Sequence, residues 1–260
     1  MTLDSYPIRD LTLTVSEVRY YSDKLFEVLL HADEPLPPFK PGQFAQILVP
    51  NSREVFLRRP ISIYKYIGID TVSFLIQDAG NGTHLLGEAA TGDTWQVLLP
   101  LGNGFPKPSG DKPLLVGGGV GVAPLLALAA KIFRETDVKP AILLGARTQS
   151  LFPDLEDFRA AGELFLTTED GSLGEKGFVT DHTIWEKERF SDVYTCGPTP
   201  MMKAVARLSR QKNLPCMASL ENVMGCGMGV CLCCVEPTVK GHKTVCNDGP
   251  VFDVNELLWD

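Results

Sequence analysis

Four cysteines near the C-terminal end, Cys226-x4-Cys231-x2-Cys234-x11-Cys246, are the residues of this sequence best spaced for chemistry. They lie in and beyond a glycine-punctuated stretch, Met224-Gly225-Cys226-Gly227-Met228-Gly229-Val230-Cys231. Thiolates at such intervals can converge on one small inorganic centre, and residues without a Cβ let backbone N–H groups turn inward toward the sulfurs. A C-x4-C-x2-C run with a distant fourth cysteine is a spacing used for 2Fe-2S clusters, whereas a structural zinc site more often pairs its ligands as two C-x2-4-C knuckles. Zinc and a disulfide framework are the alternatives. The second fits poorly, because Cys196, Cys216 and Cys233 bring the total to seven, an odd number.

Three glycine turns and an arginine pair add a second kind of chemistry. Leu114-Leu115-Val116-Gly117-Gly118-Gly119-Val120-Gly121-Val122-Ala123-Pro124 reads as a strand, a turn and a helix start. Such a turn lets a pyrophosphate approach backbone amides at the positive end of a helix. Gly118, Gly119, Gly121 and Pro124 are its candidate binding residues, with Pro124 where the dinucleotide fingerprint has Gly or Ala; a tight turn without ligand is the plainer reading. The next strand ends in Gly145-Ala146-Arg147-Thr148, without an acidic residue for an NAD ribose hydroxyl, and Arg147 leaves NADP open. Arg58-Arg59-Pro60-Ile61-Ser62 offers guanidinium donors to a diphosphate, or else forms a solvated edge. Gly80-Asn81-Gly82-Thr83 enters a short helix, as a phosphate seat or as an ordinary cap. Cys196, in Thr195-Cys196-Gly197-Pro198, closes a strand where open α/β sheets bind ligands, although a lone cysteine is also a common small buried residue. The four histidines, His31, His84, His182 and His242, share no metal-site or triad spacing.

The elements that must carry these motifs change rhythm along the chain. Residues 11–18, 26–30, 44–49, 61–66, 72–76 and 95–99 are β-rich runs between Pro, Gly and Asp turns, which predicts an antiparallel barrel over residues 1–104, starting near Tyr6. Residues 102–110 read as a linker. Residues 111–215 then alternate strands (114–116, 141–144, 163–167, 193–195) with helices (124–135, 152–161, 199–211), the pattern of a parallel sheet covered by helices. Residues 216–260 lose that alternation and form the expected cluster module. The fold class is a β-barrel plus α/β unit with a small C-terminal cysteine module.

Composition removes other classes. Lys and Arg number 24 against 32 Asp and Glu, a net charge of −8 over 260 residues, and no basic cluster forms a footprint for nucleic acid or anionic lipid. The uncharged run 113–130 is broken by four glycines and two prolines, so a buried strand, turn and helix are expected there rather than a membrane span. The N-terminal residues carry Asp4 and no apolar run, which makes the cytoplasm the expected location.

Taken in order, these motifs resemble the ferredoxin-NADP reductase superfamily. The resemblance implies that Arg59-Pro60-Ile61-Ser62 is the flavin motif, Gly82-Thr83 the flavin diphosphate turn, and residues 117–124 the nicotinamide-nucleotide turn. It implies that Cys196 stands beside the nicotinamide as a catalytic residue. Leu75, Ile76 and Gln77 would line the flavin, with Ile76-Gln77 standing where the superfamily commonly has an aromatic-basic pair. The run 219–234, ending in 245–252, is similar more narrowly to the electron-transfer subunits of dihydroorotate dehydrogenase B, and the likeness extends over essentially the whole chain. That likeness implies FAD in the barrel, NAD in the α/β unit, and a 2Fe-2S cluster on Cys226, Cys231, Cys234 and Cys246. The implied partner is an FMN-containing catalytic subunit that oxidises dihydroorotate to orotate, in a heterotetramer with two copies of each, and electrons would pass from it through cluster and FAD to NAD. The small subunits of bifurcating NADH-dependent ferredoxin-NADP reductases are the alternative in the same class, although those tend to carry Asp in place of Cys226. A non-catalytic zinc-binding module is the alternative outside it.

Overall fold

The computed structural model describes residues 7–50 and 52–259; Asp4 and the expected barrel start at Tyr6 lie outside the described residues. Six strands, β1 (Arg9–Ser22), β2 (Leu25–His31), β3 (Phe44–Ile47), β4 (Arg59–Ile67), β5 (Thr71–Gln77) and β6 (Thr94–Leu101), close a barrel in the order β1-β2-β5-β4-β3-β6. Five of them span one of the β-rich runs whole, and β3 ends at Ile47, two residues short of the run 44–49. Every pairing is antiparallel. Closure leaves no sheet edge, and Leu13, Val15, Val28, Leu30, Ile47, Phe74 and Trp95 fill the interior. The short helix α1 (Asn81–Gly87) leaves the barrel after β5.

The second unit is a seven-stranded sheet. Its members are β7 (Leu114–Gly118), β8 (Ala141–Ala146), β9 (Glu163–Thr168), β10 (Glu175–Lys176), β11 (Val193–Cys196), β12 (Cys216–Ser219) and β15 (Val251–Asp253), in the order β10-β9-β8-β7-β11-β12-β15. All neighbours are parallel except β15, which runs antiparallel to β12. Helices α2 (Val122–Thr136), α3 (Glu156–Ala161), α4 (Ile184–Lys187) and α5 (Thr199–Gln211) accompany it. α3 is shorter than the expected helix over 152–161. Pro153 explains this, since the residue before a proline is driven out of the helical region, and Phe152 is extended with φ −78° and ψ 144°.

Residues 220–250 leave the sheet after β12 and return at β15, carrying the hairpin β13 (Val235–Thr238) and β14 (Gly241–Thr244). The cysteine run is thus inserted between two strands of the central sheet, and residues 216–219 and 251–253 of the expected C-terminal module are part of that sheet. Residues 102–110 are pinned at many points. Asn103 donates from its backbone to Gly249 and from Nδ2 to the carbonyls of Asn247 and Asp248, Phe105 N–H donates to Pro41, and Ser109 N–H to the Asp192 carboxylate. Barrel, sheet and cysteine segment meet along this stretch. Among the described residues no helix is long and apolar enough to cross a membrane.

A buried charge group also joins barrel and sheet units. Glu27 of β2 has no exposed surface, and Lys65 of β4 lies 3.0 Å from one of its carboxylate oxygens and 3.1 Å from the other. Tyr21 donates to Glu27 at 2.7 Å, and Lys65 reaches Asp157 of α3 at 2.6 Å. Removing one member of a buried pair leaves the other desolvated and uncompensated. Lys65→Met is therefore expected to destabilise the protein by about 3 kcal/mol in denaturant unfolding. Adding Glu27→Gln should recover most of that loss, and equal stability of Lys65→Met and the parent would contradict this account.

Candidate functional site

The arginine pair separates into two roles. Arg58 forms a two-point ion pair with Asp10, 2.9 and 2.7 Å, and is committed there. Arg59 donates from Nη2 to the Leu57 carbonyl at 3.0 Å, while its buried Nε has no partner. Its side chain lies across Gly82, where a Cβ would come within 2.9 Å of Arg59 Cδ. The strand β4 and the first turn of α1 thus present one under-used guanidinium beside a glycine, a setting that fits a diphosphate. Thr83 is engaged within that turn: its hydroxyl accepts from Ala79 and Gly80 N–H and donates to the Gly80 carbonyl.

Pairing sets which flavin-motif residues face outward. Pro60 and Ser62 of β4 stand opposite Gln46 and Phe44 of β3, so all four share a face, while Ile61 opposes Ala45 and packs with the barrel interior. On β5, Ile76 is buried inside the barrel, Leu75 packs in the core shared with α2, and Gln77 is exposed at the strand end. Of these three, Gln77 is the one that opens onto the neighbouring cavity.

That cavity, about 630 Å³, lies along the carboxyl ends of the sheet strands and is lined by Gly118, Gly119, Arg147, Glu169, Pro198 and Met201 among others. Its size is that of a cofactor site, and its position is where open α/β sheets take their ligands. A Cβ on Gly121 would sit 2.4 Å from Gly197 N and 2.5 Å from the Cys196 carbonyl carbon. Glycine there is what lets the β7 turn touch the β11 turn. Pro124 occupies the third position of α2, where its missing N–H leaves no helical bond unmade. Thr167 borders the cavity, and its buried Oγ1 has no partner within the protein.

Cys196 is wholly buried at the end of β11 and is not on the cavity wall. Burial raises its thiol well above the ordinary range, so it remains protonated. Its Sγ donates to Glu221 Oε1 at 3.9 Å. Glu221 keeps an exposed face, and desolvation by the protein around it raises its carboxyl pKa. Sequence reading gave Glu221 no role, since 25 residues separate it from Cys196 and only the β11–β12 pairing brings the two together.

The four cluster cysteines fall into an outer and an inner pair. Cys226 and Cys231 share hydrogen bonds at the surface: each backbone N–H donates to the other's sulfur at 3.4 Å. Cys234 and Cys246 are buried in the core with Phe44, Met224 and Phe252, and Cys246 N–H donates to Cys234 Sγ at 3.4 Å. Met228 N–H adds a bond to Cys226 Sγ and Gly229 N–H one to Cys246 Sγ, 3.4 and 3.0 Å. Among the described residues no group of three or more His, Cys, Asp or Glu is arranged around a single metal ion. Two thiol pairs, each met by inward N–H groups, suit two irons bridged by sulfide better than one tetrahedral ion. Burial raises the Cys226 thiol, yet hydrogen bonds from the Met228 and Cys231 N–H groups outweigh it and bring the pKa down to about 6. Burial and the Cys234 thiol push Cys246 up to about 12, so its proton leaves when a metal takes its place. Cys233 is exposed, and Cys216 is buried in β12 with its thiol pushed up to about 12, chiefly by burial.

Two substitution series probe these assignments. Serine at Cys226, Cys231, Cys234 or Cys246 is expected to abolish or destabilise the cluster, while Cys216→Ser and Cys233→Ser keep about two irons per chain. Iron loss from Cys233→Ser equal to that from Cys234→Ser would show the wrong ligand chosen. Arg59→Ala is expected to weaken flavin binding by about 1.5–3 kcal/mol, measured by titration of the apoprotein, with Arg58→Ala close to the parent. Unchanged affinity in Arg59→Ala would remove the diphosphate assignment.

Comparison with known proteins places the site in a family. The iron-sulfur cluster binding domain of dihydroorotate dehydrogenase B matches residues 221–258, and the oxidoreductase NAD-binding domain matches residues 115–207. The electron transfer subunit of dihydroorotate dehydrogenase B (NAD(+)) from Bacillus caldolyticus is 39% identical over 256 residues, covering 95% of this chain and 97% of the relative. Its counterpart from Caldanaerobacter subterraneus subsp. tengcongensis is 40% identical over 223 residues, 84% of this chain and 87% of the relative. Among solved structures, an NADH-dependent reduced ferredoxin-NADP oxidoreductase matches with a TM-score of 0.86 and 30% identity, covering 95% of this chain and 90% of that one. An Amycolatopsis cytochrome P450 reductase matches at 0.71 and 26%, over 81% of this chain and 68% of that one. With relatives aligned almost end to end and the iron-sulfur domain falling on its cysteines, the chain belongs to the family of dihydroorotate dehydrogenase B (NAD(+)) electron transfer subunits.

Proposed function

We propose that this chain is the electron-transfer half of an NAD-linked dihydroorotate dehydrogenase, holding FAD on the barrel, NAD in the sheet cavity and a 2Fe-2S cluster on Cys226, Cys231, Cys234 and Cys246. The observation that carries the reading is adjacency. Gln77, at the end of the flavin-motif sheet, lines the same cavity as Gly118 and Pro198, and the cluster loop lies on the barrel at Gln46 and Leu101. The barrel therefore stands between the other two sites. That is the order the chemistry requires: nicotinamide gives and takes electrons in pairs as hydride, an iron-sulfur cluster carries one at a time, and a flavin exchanges both ways.

The chain's own residues bind, orient and exclude. Arg59 and the turn at Gly82 hold a diphosphate, with Pro60, Ile61, Ser62, Leu75, Ile76 and Gln77 forming the strands beneath the flavin. Gly118, Gly119, Gly121 and Pro124 shape the nicotinamide-nucleotide turn. Cys196, its thiol kept protonated by burial at the end of β11, donates to the Glu221 carboxyl, and beside the nicotinamide it would act as a neutral group rather than as a thiolate. Arg147 and Glu169 line the same cavity. The Glu169 carboxylate repels a ribose 2′-phosphate and accepts from a 2′-hydroxyl, which favours NAD despite Arg147.

The surface around the outer cysteine pair supports a partner. Val223 and Val230 are 79% exposed, Leu232 63% and Met228 50%, an apolar fringe beside the cluster of the kind that a second subunit covers. An FMN-containing catalytic subunit in a two-plus-two complex in the cytoplasm fits this surface. The isolated chain is expected to oxidise NADH with an artificial dye and to show no dihydroorotate activity. Adding the FMN-containing dihydroorotate dehydrogenase from the same cell should restore NAD-linked turnover. Conversion of dihydroorotate by the isolated chain would refute the subunit reading, and failure to associate would favour a bifurcating ferredoxin-NADP reductase instead.

A further inference from the structure

Among the described residues of the barrel several buried polar atoms lack a partner, and Gln46 is the side chain with two of them. It has no exposed surface, and neither its Oε1 nor its Nε2 has a hydrogen-bond partner. A buried amide with both ends unmatched calls for a ligand, an ion or a water. Its neighbours say which. On one side it pairs with Pro60 of the flavin strand and shares a face with Pro60, Phe44 and Ser62. Phe44, next on that face, packs in one core with Leu101, Met224, Cys234 and Cys246. On the other side is Gly227, in the turn between Cys226 and Met228. A Cβ there would lie 2.8 Å from Gln46 Cγ and 3.1 Å from Nε2, and Gly227 has φ +72°. Glycine is demanded twice, by the backbone turn and by the amide pressed against it.

We propose that Gln46 is a positioning residue for the iron-sulfur centre: from the barrel, past Gly227, its side-chain NH2 donates to the sulfur side of the cluster that Cys226 and its partners hold. This rests on the 2Fe-2S reading above and adds a residue from outside the cysteine segment. A donor aimed at the sulfurs stabilises the reduced cluster, which carries one more negative charge, more than the oxidised one. Gln46 therefore raises the cluster's reduction potential, and because it sits on the strand beside Pro60 it ties that tuning to the flavin's own strand.

The test is a redox titration of the whole purified chain, reading the reduced cluster by electron paramagnetic resonance, with iron and flavin content measured in parallel. Gln46→Met removes the donor and keeps an unbranched side chain of similar length. The expected result is parental iron and flavin with a cluster potential more negative than the parent's; an unchanged potential with full iron overturns the proposal. Should Gln46→Met not load iron, Gln46→Glu decides. A lowered potential that climbs as the pH falls and the carboxyl takes up its proton supports the proposal, and a parental, pH-independent potential overturns it. A parent chain with no iron and no such resonance would instead sink the 2Fe-2S reading itself.

Discussion

The cysteine segment leaves the seven-stranded sheet at β12 and rejoins it at β15, the strand paired directly beside it, and this double anchoring underlies the arrangement of all three sites. A loop of some thirty residues tethered at one end would sample many positions relative to the barrel. Held at both ends by ladder hydrogen bonds, and clamped just before its return through Asn103 to residues 247–249, it has one. The entropy of ordering it is offset by burial of Met224, Cys234, Val245, Cys246 and Phe252 in the main core. The inner cysteine pair is thereby part of the hydrophobic core, while the outer pair faces the surface.

The same economy of position governs the junction of barrel and sheet. Gly121 against Gly197 brings two strand-end turns into backbone contact, and the cavity they border reaches Gln77 on the barrel. Lys65 crosses from Glu27 to Asp157 and holds the two units together by charge where apolar packing alone would allow sliding. Electron transfer between bound groups depends on short, constant separations, and these are the contacts that keep them constant. Exposed apolar side chains, Val223, Met228, Val230 and Leu232, flank the outer cysteines at the cluster end of this path.

Much of this was legible in the sequence because the motifs are local. The C-x4-C-x2-C spacing, the glycine run after β7 and the Arg59-Pro60-Ile61-Ser62 strand each encode their chemistry within a dozen residues, and β-rich runs between turn residues marked every strand of the barrel. What stayed hidden depends on distance in the chain. Glu221 meets Cys196 only through the pairing of β11 and β12, and Gln46 meets Gly227 only because the cysteine loop folds back on β3. The residues 102–110 read as a linker from their Gly and Pro content, yet their hydrogen bonds to Pro41, Asp192 and Gly249 make them a clasp. β12 and β15 were not read as strands, being four and three residues long and separated by the whole cysteine segment.

The central claim is that nicotinamide, flavin and cluster form one connected path within this chain, with the flavin between the other two. Anaerobic titration of the purified chain with NADH, following flavin absorbance and the cluster's paramagnetic signal together, tests it most directly. The account predicts that NADH bleaches the flavin and brings up the reduced-cluster signal with no partner present, and that the cluster stays oxidised in Arg59→Ala protein depleted of flavin. Cluster reduction by NADH at the parental rate without flavin, or a reduced flavin beside a cluster that accepts no electrons from it, would contradict the path.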